Sequence, residues 1–431
     1  MTRAIRQTTT QTTTQTTTQT TTRGLRRHNR SMVLSHLYVE GPASRLELAR
    51  ATGLSAATIS NVVTDLLDDG LVEEAGSVDS GGGRPHKLLA IRPGLGHVAG
   101  VDIGETCVKV GLFDGALSTI ATASYAIGAE EFEPGLVARL VIAGVREVCQ
   151  QVGVDPDGLL GVGVGVPGAV EPPPSSLVHA PILGWSEVPL GETLRREIHA
   201  PLYVDNCART LGQAEMWRGA GRGAGQAVVA LLGAGLGAAL TTGSNPFRGA
   251  SNMASEWGHT VIVVRGQPCR CGSRGCLEAY VGAEAILADY RSRRSSVPLV
   301  ATNLEGGLAE LVARSRDGGA ARDGGAARDG GAARDALDDA AEYLGVGIAN
   351  LVNVLSPERV ILSGWAGALL APEILPAVRD AARRHALPHA YAKVKIEPGQ
   401  LGRDAVALGA ATLPIADFLA AGGSPRVISA C

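Results

Sequence analysis

The stretch EWGHTVIVVRGQPCRCGSRGCLEAY, residues 256–280, contains three cysteines within eight positions and a histidine ten residues before the first of them. The spacing is H-x9-C-x-C-x4-C. Three thiolates and one imidazole complete a tetrahedral shell for zinc, and a shell without an open position is typical of a structural metal. The sequence therefore predicts a structural Zn²⁺ held by His259, Cys269, Cys271 and Cys276. We call residues 256–278 the metal loop.

The bulk composition limits the class of protein. The chain has 431 residues, of which 45% are hydrophobic and 19% charged, so it can form two or three globular domains. No apolar run reaches the roughly 18 residues of a membrane span, and no apolar signal segment begins the chain. We therefore expect a cytoplasmic protein without a membrane partner. Its seven cysteines, an odd number, favour a metal over disulfides in that compartment.

Two segments have low complexity. Residues 1–30 carry six arginines and no acidic residue, and residues 7–22 are almost entirely Thr and Gln. This composition cannot bury a core, so a disordered basic tail is predicted. The stretch RDGGAARDGGAARDGGAARD, residues 316–335, repeats a hexamer that is too short for a solenoid unit. We expect this insert to be a disordered surface loop.

Residues 31–92 have the pattern of a small separate domain. Ser44 followed by Glu47 predicts a capping box, and Gly53 predicts the end of that helix. The segment SMVLSHLYVEG, residues 31–41, predicts a short first helix that ends at Gly41. Ser55 precedes the third helix, whose apolar residues form one stripe at Ile59, Val62, Val63, Leu66 and Leu67. A strand, a Gly-rich turn and another strand follow. Helices joined by a tight turn and followed by a hairpin predict a winged helix-turn-helix, although an ordinary three-helix bundle shares much of this pattern.

A winged helix of this kind predicts contacts with double-stranded DNA, chiefly from the third helix and the wing. The residues expected to make them are Arg45, Ser55, Ala57, Thr58, Ser60, Asn61, Arg84 and Lys87. Residues 31–92 contain eight acidic side chains against five Arg and Lys. The positive surface that DNA requires must therefore come from local placement and from the basic tail, in a dimer.

Residues 93–420 have a different sequence pattern from the residues before them. Apolar strands that end in Gly turns alternate with helices, which predicts an α/β fold. The metal loop in this region, with its EWGH and CRCGSRGCLE segments, resembles the signature of the ROK family, named for repressors, open reading frames and kinases. The similarity extends from His97 to about Phe418. It implies a two-lobed, actin-like sugar-kinase fold, which is ribonuclease H-like, with a cleft between the lobes. A winged helix in front of this domain is the arrangement of the repressor branch.

The resemblance also assigns two phosphate loops, DIGET and GAGLGAA. Their matching residues are Asp102, Gly104, Thr106, Gly233, Gly235 and Gly237. Glu105 replaces a glycine of the first loop, which adds bulk and negative charge where a polyphosphate would approach. Ala234 replaces a threonine hydroxyl of the second loop. Both loops are therefore degenerate.

The segment VDNCARTLGQAE, residues 204–215, resembles the catalytic segment of the family's kinases. Asn206 matches a sugar-binding asparagine, but Cys207 stands where the general base would be an aspartate. Asp205 lies one position too early, and in an extended segment its side chain points to the other face. The sequence thus predicts a chain without a catalytic residue.

The resemblance assigns sugar-type ligand contacts to Gly168, Asn206, Glu256, His259 and Glu278. Ile182 departs from the family, whose members usually carry a sugar-contacting asparagine there. The alternative role for Glu256 and Glu278 is structural support of the metal loop.

Together these features predict a ROK-type transcriptional regulator, a repressor, located in the cytoplasm at the nucleoid. We expect it to bind a palindromic operator as a homodimer or homotetramer and to sense a sugar or sugar derivative. One alternative is an ATP-dependent, glucokinase-like sugar kinase that kept a DNA-binding head, against which Cys207 argues. The other is a regulator that binds a partner protein and no sugar. The retained Asn206, Glu256, His259 and Glu278 argue against it.

Overall fold

The computed structural model of the chain describes residues 22–78, 85–128, 132–172, 175–243, 245–293, 297–317 and 325–424. These residues divide into two compact units. The first runs to Ile91 and also includes Leu419–Ser424, and the second comprises Arg92–Phe418. None of the helices in these ranges has the length and apolar character needed to cross a membrane.

The described part of the first unit forms three helices and one small sheet. The helices are α1 (Thr22–Val39), α2 (Arg45–Thr52) and α3 (Ala56–Asp68). The strands are β1 (Ala43–Ser44), β2 (Val72–Val78) and β3 (His86–Ile91), which pair antiparallel in the order β1-β3-β2. Residues 79–84, between β2 and β3, lie outside the described residues. This arrangement of helices and hairpin is the predicted winged helix-turn-helix.

The ends of α2 and α3 follow their capping residues. The Ser44 N–H donates to Glu47 Oε2 at 2.7 Å, and the Glu47 N–H donates to Ser44 Oγ at 3.3 Å, so the predicted capping box is confirmed. Gly53 ends α2 with a left-handed φ of 70°. Ser55 caps α3 by accepting from the Thr58 N–H at 3.1 Å. The predicted stripe of α3 is buried at Ile59, Val62, Val63 and Leu66.

Helix α1 begins earlier than the sequence predicts. The expectation of disorder through residue 30 is wrong for residues 22–30, which are helical, while residues 1–21 lie outside the described residues. Arg26 Nη2 lies 2.7 Å from Asp65 Oδ2, and Arg30 Nη2 lies 2.6 Å from Asp69 Oδ2. The basic segment therefore neutralises the acidic end of α3, which fixes it as helix.

The second unit consists of two halves with the same sheet topology. The first sheet has the order β11-β7-β4-β5-β6 and comprises β4 (His97–Ile103), β5 (Cys107–Asp114), β6 (Thr119–Ala126), β7 (Gly161–Val166) and β11 (Leu202–Asn206). The second has the order β14-β13-β12-β15-β16 and comprises β12 (Gln226–Leu232), β13 (Leu236–Thr242), β14 (Asn245–Pro246), β15 (Arg359–Ser363) and β16 (Lys395–Pro398). Each sheet joins three antiparallel strands to two parallel ones, the predicted ribonuclease H-like arrangement repeated.

Among the residues that the structure describes, a minor antiparallel sheet and ten α-helices complete the second unit. The minor strands are β8 (Ala169–Val170), β9 (Val178–Ala180) and β10 (Trp185–Val188). The helices are α4 (Pro134–Val152), α5 (Leu190–Arg195), α6 (Cys207–Arg218), α7 (Glu278–Val281), α8 (Ala283–Ser292), α9 (Leu304–Asp317), α10 (Gly325–Leu355), α11 (Gly364–His385), α12 (Pro388–Tyr391) and α13 (Ala405–Ala420). Helix α4 packs in the core of the first half, whereas α8 to α11 pack in the core of the second.

Helix α13 lies directly on the first sheet because two strands carry glycine at the contact. A side-chain carbon at Gly163 of β7 would lie 1.8 Å from Ala410 O, and one at Gly100 of β4 would lie 2.0 Å from Ala407 O. No larger residue fits at either position without moving the helix. The close contact brings Ala405 and Val406, at the start of α13, to the wall of the cleft between the halves.

The repeated hexamer is not a disordered loop throughout. Residues 316–317 end α9 and residues 325–335 begin α10, so the predicted disorder is wrong there, while 318–324 lie outside the described residues. Ala332 and Ala333 of the last hexamer are buried and continue into the apolar face of α10. Arg293 also binds Asp339 of α10 at 2.6 Å. Tertiary packing therefore stabilises a helix in a segment whose composition alone predicts disorder.

Candidate ligand cleft and metal centre

A cleft with a volume of about 410 Å³ separates the two halves of the second unit. Its walls come from the β4–β5 turn, the start of α6, the β12–β13 turn and the metal loop. The predicted phosphate-loop, base and ligand residues all line this one cleft: Asp102, Gly104, Thr106, Gly168, Asn206, Cys207, Gly233, Gly235, Gly237, Glu256, His259 and Glu278. Ile182 also lines the cleft.

The four predicted metal ligands form one cluster. The ligand atoms of His259, Cys269, Cys271 and Cys276 all lie within 4.8 Å of one another, so the cluster could hold a metal ion. Cys269 Sγ lies 3.7 Å from His259 Nδ1, and Cys271 Sγ lies 3.8 Å from Cys276 Sγ. Because Nδ1 faces the cluster, the other ring nitrogen of His259 is not required by it.

The Cys207 thiol occupies the first position of α6 at the cleft wall. Burial raises the pKa of this thiol far above its ordinary value, and the nearby carboxylates of Asp102 and Glu105 raise it further. The thiol is therefore protonated at physiological pH, and it cannot act as a proton acceptor in that state.

Asp205 faces away from the cleft, as its position in the strand predicts. Its carboxylate is buried and accepts from Arg209 Nε at 2.7 Å, while Arg248 Nη2 lies 2.6 Å away. The preceding acid is thus fixed by two arginines and does not substitute for Cys207.

Hydrogen bonds to neighbouring backbone groups fix the Asn206 side chain. Its Oδ1 accepts from the Ala208 and Arg209 N–H groups at 2.9 and 3.2 Å, which caps α6, and its Nδ2 donates to Gly168 O at 2.8 Å. Gly168 has a φ of +81°, and a side-chain carbon there would lie 2.2 Å from His179 O. Both residues therefore shape the cleft wall as well as facing its interior.

The two glutamates predicted to bind a ligand differ in their surroundings. Glu278 Oε2 accepts from the Leu236 N–H at 2.9 Å, and Glu278 Oε1 accepts from Arg270 Nε at 3.0 Å. Burial opposes ionisation, but these donors keep the pKa of Glu278 below its ordinary value. Within the described ranges, the Glu256 carboxylate accepts no hydrogen bond, so it is the acid free to meet a ligand.

Sequence reasoning missed three cations at the cleft, namely Lys109, Arg270 and Arg403. Lys109 Nζ donates to Asp404 Oδ1 at 3.0 Å, and Arg403 Nη1 lies 2.7 Å from Glu305 Oε1. The signal available for Arg270 was its position between two predicted metal ligands. Asp102 lies beside Lys109 on the paired strand, but burial raises the pKa of Asp102 to about 7.

The predicted DNA contacts lie in the first unit. Four of them are exposed on or next to α3, at Ser55, Ala57, Ser60 and Asn61. Thr58 and Arg45 are half-buried at the starts of α3 and α2. Lys87 is exposed on β3 and pairs with Glu74 of β2, whereas Arg84 lies outside the described residues.

The fold and the cleft define a class of protein with a winged helix-turn-helix in front of a sugar-kinase-like domain. Residues 98–416 match the ROK family, and residues 23–81 match the MarR family. The chain therefore belongs to the ROK family, with a MarR-type winged helix at its N-terminal end.

Relatives of similar length support this assignment. Over 397 residues the chain is 30% identical to the xylose repressor of Caldicellulosiruptor bescii, covering 92% of this chain and 97% of that protein. It is 24% identical over 383 residues to the DNA-binding transcriptional repressor Mlc of Escherichia coli, covering 86% and 89%.

Solved structures share the fold. A ROK family transcriptional regulator, described as a homolog of the E. coli MLC protein, has a TM-score of 0.73 at 22% identity and covers 93% of this chain and 98% of its own. A ROK family glucokinase from Streptomyces griseus, in complex with glucose and AMPPNP, has a TM-score of 0.61 at 27% identity. It covers 74% of this chain and 99% of its own, so it aligns with less of the chain than the regulator does.

Proposed function

We propose that this chain is a DNA-binding transcriptional repressor that senses a sugar in a kinase-derived cleft. The observation that carries the proposal is the thiol of Cys207 at the position of the catalytic base, in a cleft that keeps Asn206, Glu256, His259 and Glu278. The winged helix, which precedes the ROK domain in the sequence, supplies the means to bind DNA. The repressor names of relatives that cover about nine-tenths of the chain support this function.

Helix α3 is the proposed recognition helix. It presents Ser60 and Asn61 to solvent while its apolar face is buried, the arrangement that lets a helix enter the major groove. We expect Asn61→Ala to weaken binding to a specific DNA site by about 1–3 kcal/mol, the range for one base contact. Asn29→Ala makes the same chemical change on α1 and should leave the affinity unchanged. Equal affinities for Asn61→Ala and wild type in a gel-shift titration would refute the recognition role of α3.

The Cys–His cluster is the proposed site of a structural zinc. Zn–S bonds of about 2.3 Å place tetrahedral sulfur ligands about 3.8 Å apart. The Cys271–Cys276 separation of 3.8 Å fits this geometry, and so does the set of three thiols and one imidazole. Zinc would hold the metal loop as a fixed wall of the cleft. His259 would bind it through Nδ1 and keep Nε2 for a ligand.

The proposed effector is a sugar or sugar derivative that contacts Glu256 and His259. A carboxylate without a donor at the wall of a cleft suits the hydroxyl groups of a sugar. The xylose repressors among the relatives make D-xylose the first compound to test.

The proposed DNA-binding form is a homodimer or homotetramer, because two-fold symmetric operators match symmetric proteins. Sedimentation of the DNA complex would measure the number of chains bound.

Phosphoryl transfer is not part of the proposed function. Loss of a positioned general base lowers a rate by roughly 10²–10⁴-fold, and the altered phosphate loops lower it further. A coupled assay with ATP and common sugars should therefore detect no turnover above background. Turnover in the ordinary range of about 1–10³ per second would instead identify a sugar kinase with a DNA-binding head.

A further inference from the structure

The Arg270 side chain spans the cleft and connects the two halves of the second unit. Its Nη1 and Nη2 donate to the Glu105 carboxylate at 2.8 and 3.3 Å, and its Nε donates to Glu278 Oε1 at 3.0 Å. Glu105 belongs to the β4–β5 turn of the first half, whereas Arg270 and Glu278 belong to the second. A two-pronged contact of this kind is the strongest geometry between an arginine and a carboxylate.

The same charged groups cover the Gly-rich turn between β12 and β13. A side-chain carbon at Gly235 would lie 2.1 Å from Arg270 Nη2 and 2.3 Å from Glu278 Oε2. The Leu236 N–H of this turn already donates to Glu278 Oε2. Gly-rich turns bind phosphate through free backbone N–H groups and a nearby cation. Here the Glu278 carboxylate accepts from the Leu236 N–H, and the Glu105 carboxylate accepts from Arg270.

The other cations that line the cleft are also paired with carboxylates. Each of the three cations at its wall, Lys109, Arg270 and Arg403, lies within 3.0 Å of a carboxylate. Five acidic side chains line the cleft, at Asp102, Glu105, Glu256, Glu278 and Glu305. To pair with one of these cations, an anionic ligand would have to displace the carboxylate already bound to it, whereas a neutral ligand would displace no charge. Like-charge contacts of this kind discriminate against the wrong ligand.

We propose that Glu105 is a specificity-determining residue, an internal anion that occupies the Arg270 guanidinium and closes the phosphate-loop end of the cleft to anions. The cleft accepts neutral sugars and rejects sugar phosphates and nucleotides. This inference deepens the proposed sensor function and rests on it for the biological ligand. Glu105 then selects against anionic ligands, in addition to replacing a glycine of the phosphate loop.

Replacement of Glu105 tests the inference with inorganic phosphate as the probe. Glu105→Gln keeps the size of the side chain but removes its charge and replaces one acceptor oxygen with an NH2 group. At least one N–H donor of Arg270 is then free for a phosphate oxygen. We expect this variant to bind phosphate at least about tenfold more tightly than wild type in a ³¹P NMR titration at constant ionic strength, a change of about 1.4 kcal/mol. Glu105→Ala should show the same gain, and melting curves establish that both variants fold.

Glu284→Gln is the matched control. The Glu284 carboxylate lies 3.6 Å from Arg270 Nη1 and its side chain is 59% exposed, so its removal takes away one negative charge without freeing the Arg270 donors that bind Glu105. Equal gains for the Glu105 and Glu284 variants would reduce the effect to overall charge and overturn the proposal. Wild-type affinity equal to that of Glu105→Gln would also overturn it. The readout needs neither DNA nor a sugar, so its failure is distinct from failure of the sensor function.

Discussion

At the scale of single residues, neighbouring positions of the metal loop perform different tasks. Cys269 and Cys271 contribute to the metal cluster, while Arg270 between them binds Glu105 and Glu278 in the cleft. Because the loop is short and has little secondary structure of its own, the position of Arg270 depends on the cysteines beside it. We therefore expect the metal centre and the cleft to be coupled through this loop.

Replacement of one thiol tests the metal centre. Cys271→Ser should lose zinc and melt at a lower temperature, because three remaining ligands leave the tetrahedral shell incomplete. Elemental analysis of the wild-type protein should find about one zinc per chain. Cys107→Ser makes the same change at a half-buried cysteine outside the cluster and should keep the metal. A wild-type protein that is stable without zinc would contradict a structural metal at this site.

At the scale of helices and strands, local signals determined which elements sequence could predict. The two residues of the capping box, Ser44 and Glu47, are close in sequence, and so are the residues of the apolar stripe of α3, so both signals were visible in the sequence. The start of α1 and the course of α10 were not. They depend on Asp65 and Asp69 of another helix and on burial of Ala332 and Ala333, which are contacts across the fold.

The same distinction applies to the cleft. Its metal cluster and phosphate loops carry family motifs, so their residues could be named in advance and lie together in the structure. The pairing of Arg270 with Glu105 joins positions 165 residues apart and follows no motif. Likewise the engagement of Asn206 and Glu278 by neighbouring groups is a property of packing. The motifs thus named residues that line the cleft but not its cations, and the structure shows which of these side chains are held by neighbouring groups.

At the scale of the whole molecule, two halves of identical topology enclose the cleft, and a separate winged-helix unit precedes them. A ligand alters DNA affinity only if it binds the DNA-bound and free states differently. The cleft is lined by both halves of the second unit, so a change in their separation would change the ligand site. We propose that the separation favoured by a ligand is linked to the DNA-binding state.

The most direct test of this account is the dissociation constant for DNA measured in the presence of sugars. Genomic fragments recovered by the purified protein supply the DNA, and fluorescence anisotropy supplies the affinity. We expect selective binding that weakens at least about fivefold with one of a panel of neutral pentoses and hexoses, the lower end of ordinary coupling between sites. Binding without sequence preference, or an affinity that no sugar of the panel changes, would contradict a sugar-responsive repressor.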